Sequence, residues 1–182
     1  EAAAVYNKAI EIKPGDYYAW NNQGIALGNL GRYEDAIASF NKAIEINPDD
    51  YDAWVDRGSA LSNLGRYEDA VTDYDKAIEM NPDDYDVWNN RGDALNDLGR
   101  YEEAVAAYNK AIEIKPDDYH AWFSRGGALF NLERYEEAVA AYNKAKEIKP
   151  DDYHAWNNRG TLLDELGRYE EAIASYNKAI EI

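Results

Sequence analysis

Three observations make this sequence an all-α fold, a stack of antiparallel helix pairs. The five tryptophans, Trp20, Trp54, Trp88, Trp122 and Trp156, stand 34 residues apart, and the five prolines, Pro14, Pro48, Pro82, Pro116 and Pro150, keep the same step. A period of that length marks an array of supersecondary units, each of which buries its apolar face only by stacking on a neighbour. Within a unit, apolar and small residues recur at helical spacing on both sides of a short break, so every unit holds two helices.

Residues 51–84 show how each element follows from its residues. Asp49 and Asp50 supply an N-cap candidate and negative charge at the positive end of a first helix, predicted over about Tyr51 to Leu64. Trp54, Gly58, Leu61 and Gly65 step by four, three and four and therefore share one face. Gly65 can take the left-handed conformation that ends a helix, and the break from Leu64 to Arg66 is short enough to force a hairpin. The second helix, about Tyr67 to Met80, carries Tyr67, Ala70, Val71, Tyr74, Ala77 and Ile78 on a broad apolar stripe. Pro82 stops it, because the residue before a proline is pushed out of helical geometry.

The same reading divides the chain into repeats at residues 17–50, 51–84, 85–118, 119–152 and 153–182, preceded by a partial repeat, 1–16, that matches the second helix only. The whole of 1–182 reads as one domain. Neither end carries the polar outer face of a terminal repeat, which predicts head-to-tail self-association through uncapped ends.

Charge narrows the partners. Asp and Glu number 36 against 19 Lys and Arg, a net charge of -17. That field repels phosphate backbones and anionic lipid, which argues against nucleic acid and membrane and favours neutral or basic peptide and protein partners. The absence of cysteine excludes thiol catalysis, disulfides and thiolate metal sites. No long apolar run or signal-peptide pattern is present, and the cytoplasm is the favoured compartment.

Trp54, Gly58, Ala70, Tyr74, Ala77 and Pro82, repeated in register, resemble the tetratricopeptide repeat, and the resemblance covers essentially the whole chain. Two departures are systematic. Gln23, Arg57, Arg91, Arg125 and Arg159 stand where the family usually has Leu, and Leu27, Leu61, Leu95, Leu129 and Leu163 where it usually has Tyr. A guanidinium beside packed tryptophan needs an acceptor or an aromatic face, so each Arg is expected to find one on its own or an adjacent unit.

The resemblance implies a right-handed superhelical solenoid whose first helices line a concave groove that holds peptide or protein segments. The residue two before each Trp and those one, two, five, eight and nine after it should face that groove. The expected binding residues are Asn22 in the first full repeat, Asp52, Val55 and Asp56 in the second, and Asp86, Asn89, Asn90 and Asp93 in the third. The fourth adds His120, Phe123, Ser124, Gly127 and Phe130, and the fifth His154, Asn157 and Asn158. Asn22, Asn90 and Asn158 resemble an incomplete asparagine ladder, interrupted by Asp56 and Ser124, of the kind some members of the family present to a peptide backbone. Phe123 and Phe130, seven residues apart with Gly127 between, form an aromatic pair that is either an anchor for a partner or tucked against a neighbouring helix. The groove positions contain no Lys, which disfavours the carboxylate clamp of other members.

No catalysis, cofactor or metal is expected. His120 and His154 are the only histidines, too few ligands for a metal site, and helix capping accounts for the Asp pairs at 49, 83, 117 and 151. No phosphate-cradling glycine loop or activated nucleophile occurs. The fourth repeat is irregular in two further places: Glu133 replaces the hairpin glycine, and Lys146 replaces an isoleucine of the second-helix stripe. The function implied is a non-catalytic protein-interaction scaffold. Its alternatives are an excised or designed repeat array without a native ligand, and the recognition arm of a larger enzyme.

Overall fold

A computed structural model describes residues 2–182. Eleven α-helices and no strand occur among the described residues. They are α1 (Ala2–Ile12), α2 (Tyr17–Gly28), α3 (Tyr33–Ile46), α4 (Tyr51–Asn63), α5 (Tyr67–Met80), α6 (Tyr85–Asp97), α7 (Tyr101–Ile114), α8 (Tyr119–Asn131), α9 (Tyr135–Ile148), α10 (Tyr153–Glu165) and α11 (Tyr169–Glu181). The chain divides into two compact units, Glu1–Ala94 and Leu95–Ile182. In the first, each helix from α1 to α5 packs on the next, and α2 also touches α4; in the second, each helix from α7 to α11 packs on the next.

The hairpin turn follows from one backbone geometry. In the second repeat Leu64 ends α4, Gly65 takes a φ of 74°, and two hydrogen bonds reach back into the helix, from Arg66 N–H to the Leu61 carbonyl and from Gly65 N–H to the Ser62 carbonyl, each at 2.9 Å. This pair of bonds satisfies carbonyls that the helix end would otherwise leave bare. Gly31, Gly99 and Gly167 hold the same conformation, and Glu133 adopts it too, at φ 58°. The span Tyr67 to Met80 matches the structure, and α4 stops at Asn63, one residue short of the expected Leu64, which serves as its cap.

Small residues set how closely the two helices of a pair approach. Ala36, Ala70, Ala104 and Ala138, together with Ala43, Ala77, Ala111 and Ala145, have no exposed surface, and the Leu series from Leu27 to Leu163 is buried. Glycine is required on the facing helix: a Cβ on Gly58 would lie 2.7 Å from the ring of Tyr74, and one on Gly24 would lie 2.5 Å from the ring of Phe40. At the junction of two hairpins, Tyr17, Trp20 and Trp54 pack against Ala43, Ile44 and Ala53.

The shared period of tryptophan and proline has a direct cause. Each indole N–H donates to the carbonyl of the proline six residues earlier, from Trp20 to Pro14, Trp54 to Pro48, Trp88 to Pro82, Trp122 to Pro116 and Trp156 to Pro150, at 2.8 to 3.0 Å. The proline ends one helix and its carbonyl fixes the tryptophan that opens the next hairpin. The preceding aspartates cap unevenly. Asp84 accepts from the N–H groups of Asp86 and Val87, Asp118 from Ala121 and Asp152 from His154, while Asp16 makes no side-chain capping hydrogen bond. Tyr51 reaches forward to the cap of the hairpin that follows, donating to Asp84 at 2.6 Å. Burial and that carboxylate push its phenol far above the usual range.

The Arg series meets the expectation set for it. Arg57 Nε and Nη2 donate to the two carboxylate oxygens of Asp73 at 2.7 and 2.6 Å, Nη1 donates to Asn41 at 2.7 Å, and the guanidinium lies 4.7 Å from the centroid of Trp54. Arg91 pairs with Asp75, Arg125 with Asn109 and Arg159 with Asn143, each sixteen residues earlier. Gln23 takes the same place in the first full repeat, donating to Asn7 and accepting from Ser39. A polar seam therefore joins one hairpin to the next beside the tryptophan.

Candidate functional site

The first helices of the hairpins carry the positions that vary between repeats, and the structure sorts those positions by depth. On α2, Asn22 is exposed, and its side-chain amide donates back to the Tyr18 carbonyl at 2.9 Å. On α4, Asp52 is exposed, whereas Val55 and Asp56 are half-buried. On α6, Asp86 is exposed, Asn90 and Asp93 are half-buried, and Asn89 is only 4 % exposed. Asn21, the residue before Asn22, is likewise buried, at 7 % exposed. The residue after each tryptophan thus lies deeper in these two repeats than a freely solvated face would place it.

On α8, His120 is exposed and Phe123, Ser124 and Gly127 are half-buried. The aromatic pair splits in role. Phe123 stacks on Tyr119 with ring centroids 5.6 Å apart and meets Tyr142 edge-on at 5.4 Å, so its ring is tucked into the protein. Phe130 remains 38 % exposed, resting on Tyr135 at 5.8 Å. On α10, Asn157 is exposed, His154 lies against the ring of Tyr153, and the Asn158 amide donates to the Tyr142 hydroxyl at 3.2 Å. Burial raises the Tyr142 phenol, and the Asn158 bond partly offsets the rise.

In the second unit these groups enclose a pocket of about 230 Å³ lined by Gly127, Phe130, Asn131, Tyr142, Asn158 and Thr161. Its walls offer an aromatic face, a hydroxyl and amides. This is the chemistry that holds an apolar side chain and the main chain beside it. In the first unit a second pocket of about 250 Å³ lies over α2 and α4, lined among others by Ile25, Phe40, Asp56 and Ser59. Asp56 is pushed up to about 6, first by burial and then by the charge of Asp52, with Asp50 adding to the rise and a hydrogen bond from Asn21 opposing it. Sequence reasoning placed Asp56 in the acidic set without distinguishing it from its exposed neighbours. It also passed over Tyr142, whose hydroxyl accepts the Asn158 amide N–H in the pocket beside Phe130, because that tyrosine belongs to the packing pattern.

Lys146 has acquired a contact of its own, its ammonium 4.3 Å from the ring centroid of Trp156. Among the described residues, no grouping of three or more His, Cys, Asp or Glu could hold a metal ion, and no helix is long and apolar enough to cross a membrane.

Comparison with known proteins agrees with this architecture. Three sequence models described as tetratricopeptide repeat match the chain, one over residues 55–119, one over 95–158 and one over both 17–50 and 153–182. A model of the protein prenyltransferase alpha subunit repeat matches residues 1–30. No curated protein matches the sequence significantly. Among solved structures, that of YrrB, a TPR protein with an unusual peptide-binding site, is 26 % identical and has a TM-score of 0.84, covering 99 % of this chain and 93 % of its own. A crystal structure of MamA is 22 % identical with a TM-score of 0.85, covering 87 % of this chain and 92 % of that one. MamA from residue 41 to its end, from Desulfovibrio magneticus RS-1, gives 22 % identity and a TM-score of 0.86, with 91 % and 93 % covered. The likeness to MamA concerns the fold. With helical pairs, their turns and the family models in agreement along the sequence, the chain belongs to the tetratricopeptide repeat family, a repeat scaffold for protein interaction.

Proposed function

We infer that the first-helix face binds a peptide or protein segment and that the protein acts by binding, without catalysis of its own. The observation that carries this reading is the pocket beside Phe130 in the second unit. There a large ring is left partly uncovered next to the Tyr142 hydroxyl and the Asn158 amide. A partly exposed aromatic group rimmed by hydrogen-bonding groups suits an anchor residue of a partner and the backbone that carries it. The peptide-binding site of YrrB, whose fold this chain shares over most of its length, supports the same use of the fold here. Asn22 and Asn158 each spend one amide N–H on the protein, and the carbonyl oxygen and second N–H that each side chain also carries suit a bound main chain. The partner is neutral or basic, in keeping with a net charge of -17.

The test is a peptide-array screen against the wild type and Phe130→Ala, run at low and high salt. Phe130→Ala should weaken the strongest signals by about 1 kcal/mol, the share of an aromatic side chain still open to burial, with only a small fall in melting temperature from the lost contact with Tyr135. Signals that are indifferent to the substitution would remove Phe130 from the binding face. A loss of stability as large as that of truncating a fully buried phenylalanine, about 3 kcal/mol or more, would place it in the core.

A further inference from the structure

We propose that the pocket over α2 and α4 receives the cationic tip of a basic side chain, lysine or arginine, from the bound segment, with Asp56 as its counter-charge. The proposal rests on the reading of this face as a binding surface and adds a charge-selective subsite to it.

Four observations converge on this pocket. Asp56 lies in its lining with Ser59 and Asn63, close to the apolar surfaces of Ile25, Tyr33 and Phe40. A long aliphatic stem can lie along such surfaces while its charged end meets the carboxylate. The carboxylate has no counter-ion from its sequence neighbour, because Arg57 is turned away to Asp73 and Asn41. Asp52 and Asp50 add negative charge instead.

The hydrogen-bond inventory is unbalanced in the same direction. Asn21 is nine-tenths buried and lies against Asp56, to which it hydrogen-bonds, and its Oδ1 has no partner. Asp50 Oδ2 is also buried without a partner. Neither residue is part of the pocket lining, and together they leave Asp56 in surroundings rich in acceptors. A group that carries several N–H donors and a positive charge is what this arrangement lacks, and ammonium and guanidinium are the side-chain groups of that description. The elevated proton affinity of Asp56 agrees, since it measures how poorly the carboxylate is compensated in the free protein.

The experiment is a two-dimensional amide NMR titration of the 182-residue chain. The probes are acetylated, amidated pentapeptides of sequence Gly-Ala-X-Ala-Gly, with X as lysine, arginine, norleucine or glutamate. The lysine or arginine peptide should shift the amides of Asp56, Ser59 and Asn63 in a saturable way, and comparison of those two decides between ammonium and guanidinium. Norleucine and glutamate should bind at least about tenfold more weakly, and Asp56→Asn should lose the lysine or arginine response by a similar factor. Equal binding of norleucine, an undiminished response in Asp56→Asn, or uniform shifts at every acidic surface residue would overturn the subsite. Shifts confined to α8 and α10 with every peptide would also overturn it and leave the binding-face reading intact. Silence in both units with all four peptides would remove both.

Discussion

Glu133 occupies a backbone geometry that glycine holds in the other hairpin turns, with φ at 58° and its N–H still donating to the Phe130 carbonyl at 2.9 Å. A side chain in the left-handed region is disfavoured, because Cβ crowds the following carbonyl. Glu133→Gly should raise the stability of the protein by about 0.5 to 1 kcal/mol, the gain being trimmed by the freer unfolded glycine. Chemical denaturation would show it as a higher midpoint with an unchanged slope. Asp56 gives the second prediction at this scale. Its carboxyl binds a proton more tightly in the folded protein, at about 6, than the ordinary value of 3.8. Its contribution to stability is thus fully present below pH 3.8 and is lost as pH rises through about 6. Discounted for the solvent that still reaches it, Asp56→Asn should stabilise the protein by about 1 kcal/mol at pH 7, with no difference remaining near pH 3.5. Melting curves across that range would check the sign. The sequence alone marks Glu133 as the odd hairpin residue, since a missing glycine stands out in a repeat. It cannot mark Asp56, because depth within a face depends on which neighbouring side chains lean over it.

At the scale of the element, the junction between hairpins joins an apolar contact to a polar one. Arg57 and Asp73 form a largely buried ion pair in it, with Asp73 only 3 % exposed and both carboxylate oxygens engaged. Removing the guanidinium strands a buried carboxylate. Arg57→Leu should therefore cost about 3 kcal/mol, and Arg57→Leu with Asp73→Leu should recover most of that loss. Arg91→Leu should cost about 1 kcal/mol or less, because its partner Asp75 is half exposed. A double-mutant cycle followed by thermal unfolding measures both. If Arg57→Leu proves neutral, the seam contributes nothing to stability. The helices themselves were legible: their spans, the left-handed turn at Gly65 and the close approach at Gly58 all follow from spacing and residue size. The partners of the arginines were not, because asparagine, aspartate and serine sixteen residues away gain meaning only once two helices lie side by side.

At the scale of the molecule, the outer helices leave apolar surface uncovered. Ile173 on α11 is 59 % exposed, whereas its counterparts Ile37, Val71, Val105 and Val139 are buried, and Val5 and Ile12 on α1 are exposed as well. These exposed residues are the ones that would carry head-to-tail self-association of the chain. Sedimentation velocity should show concentration-dependent association that Ile173→Lys weakens, and a monomer at every concentration would refute it. Repeat identity and charge were legible at this scale, since both are properties of composition and period. The proposed binding face was legible only as a set of varying positions. Which of them open onto a pocket depends on side chains such as Tyr142 that the packing pattern had already claimed.

The bond between each indole and its proline carbonyl also makes the protein its own reporter. One tryptophan sits in every full repeat, tied to the residue that ends the preceding helix. Replacing four of the five by phenylalanine leaves a lone fluorophore whose emission reddens when its particular loop lets go. A family of five such variants would therefore map, link by link, the order in which the chain unzips.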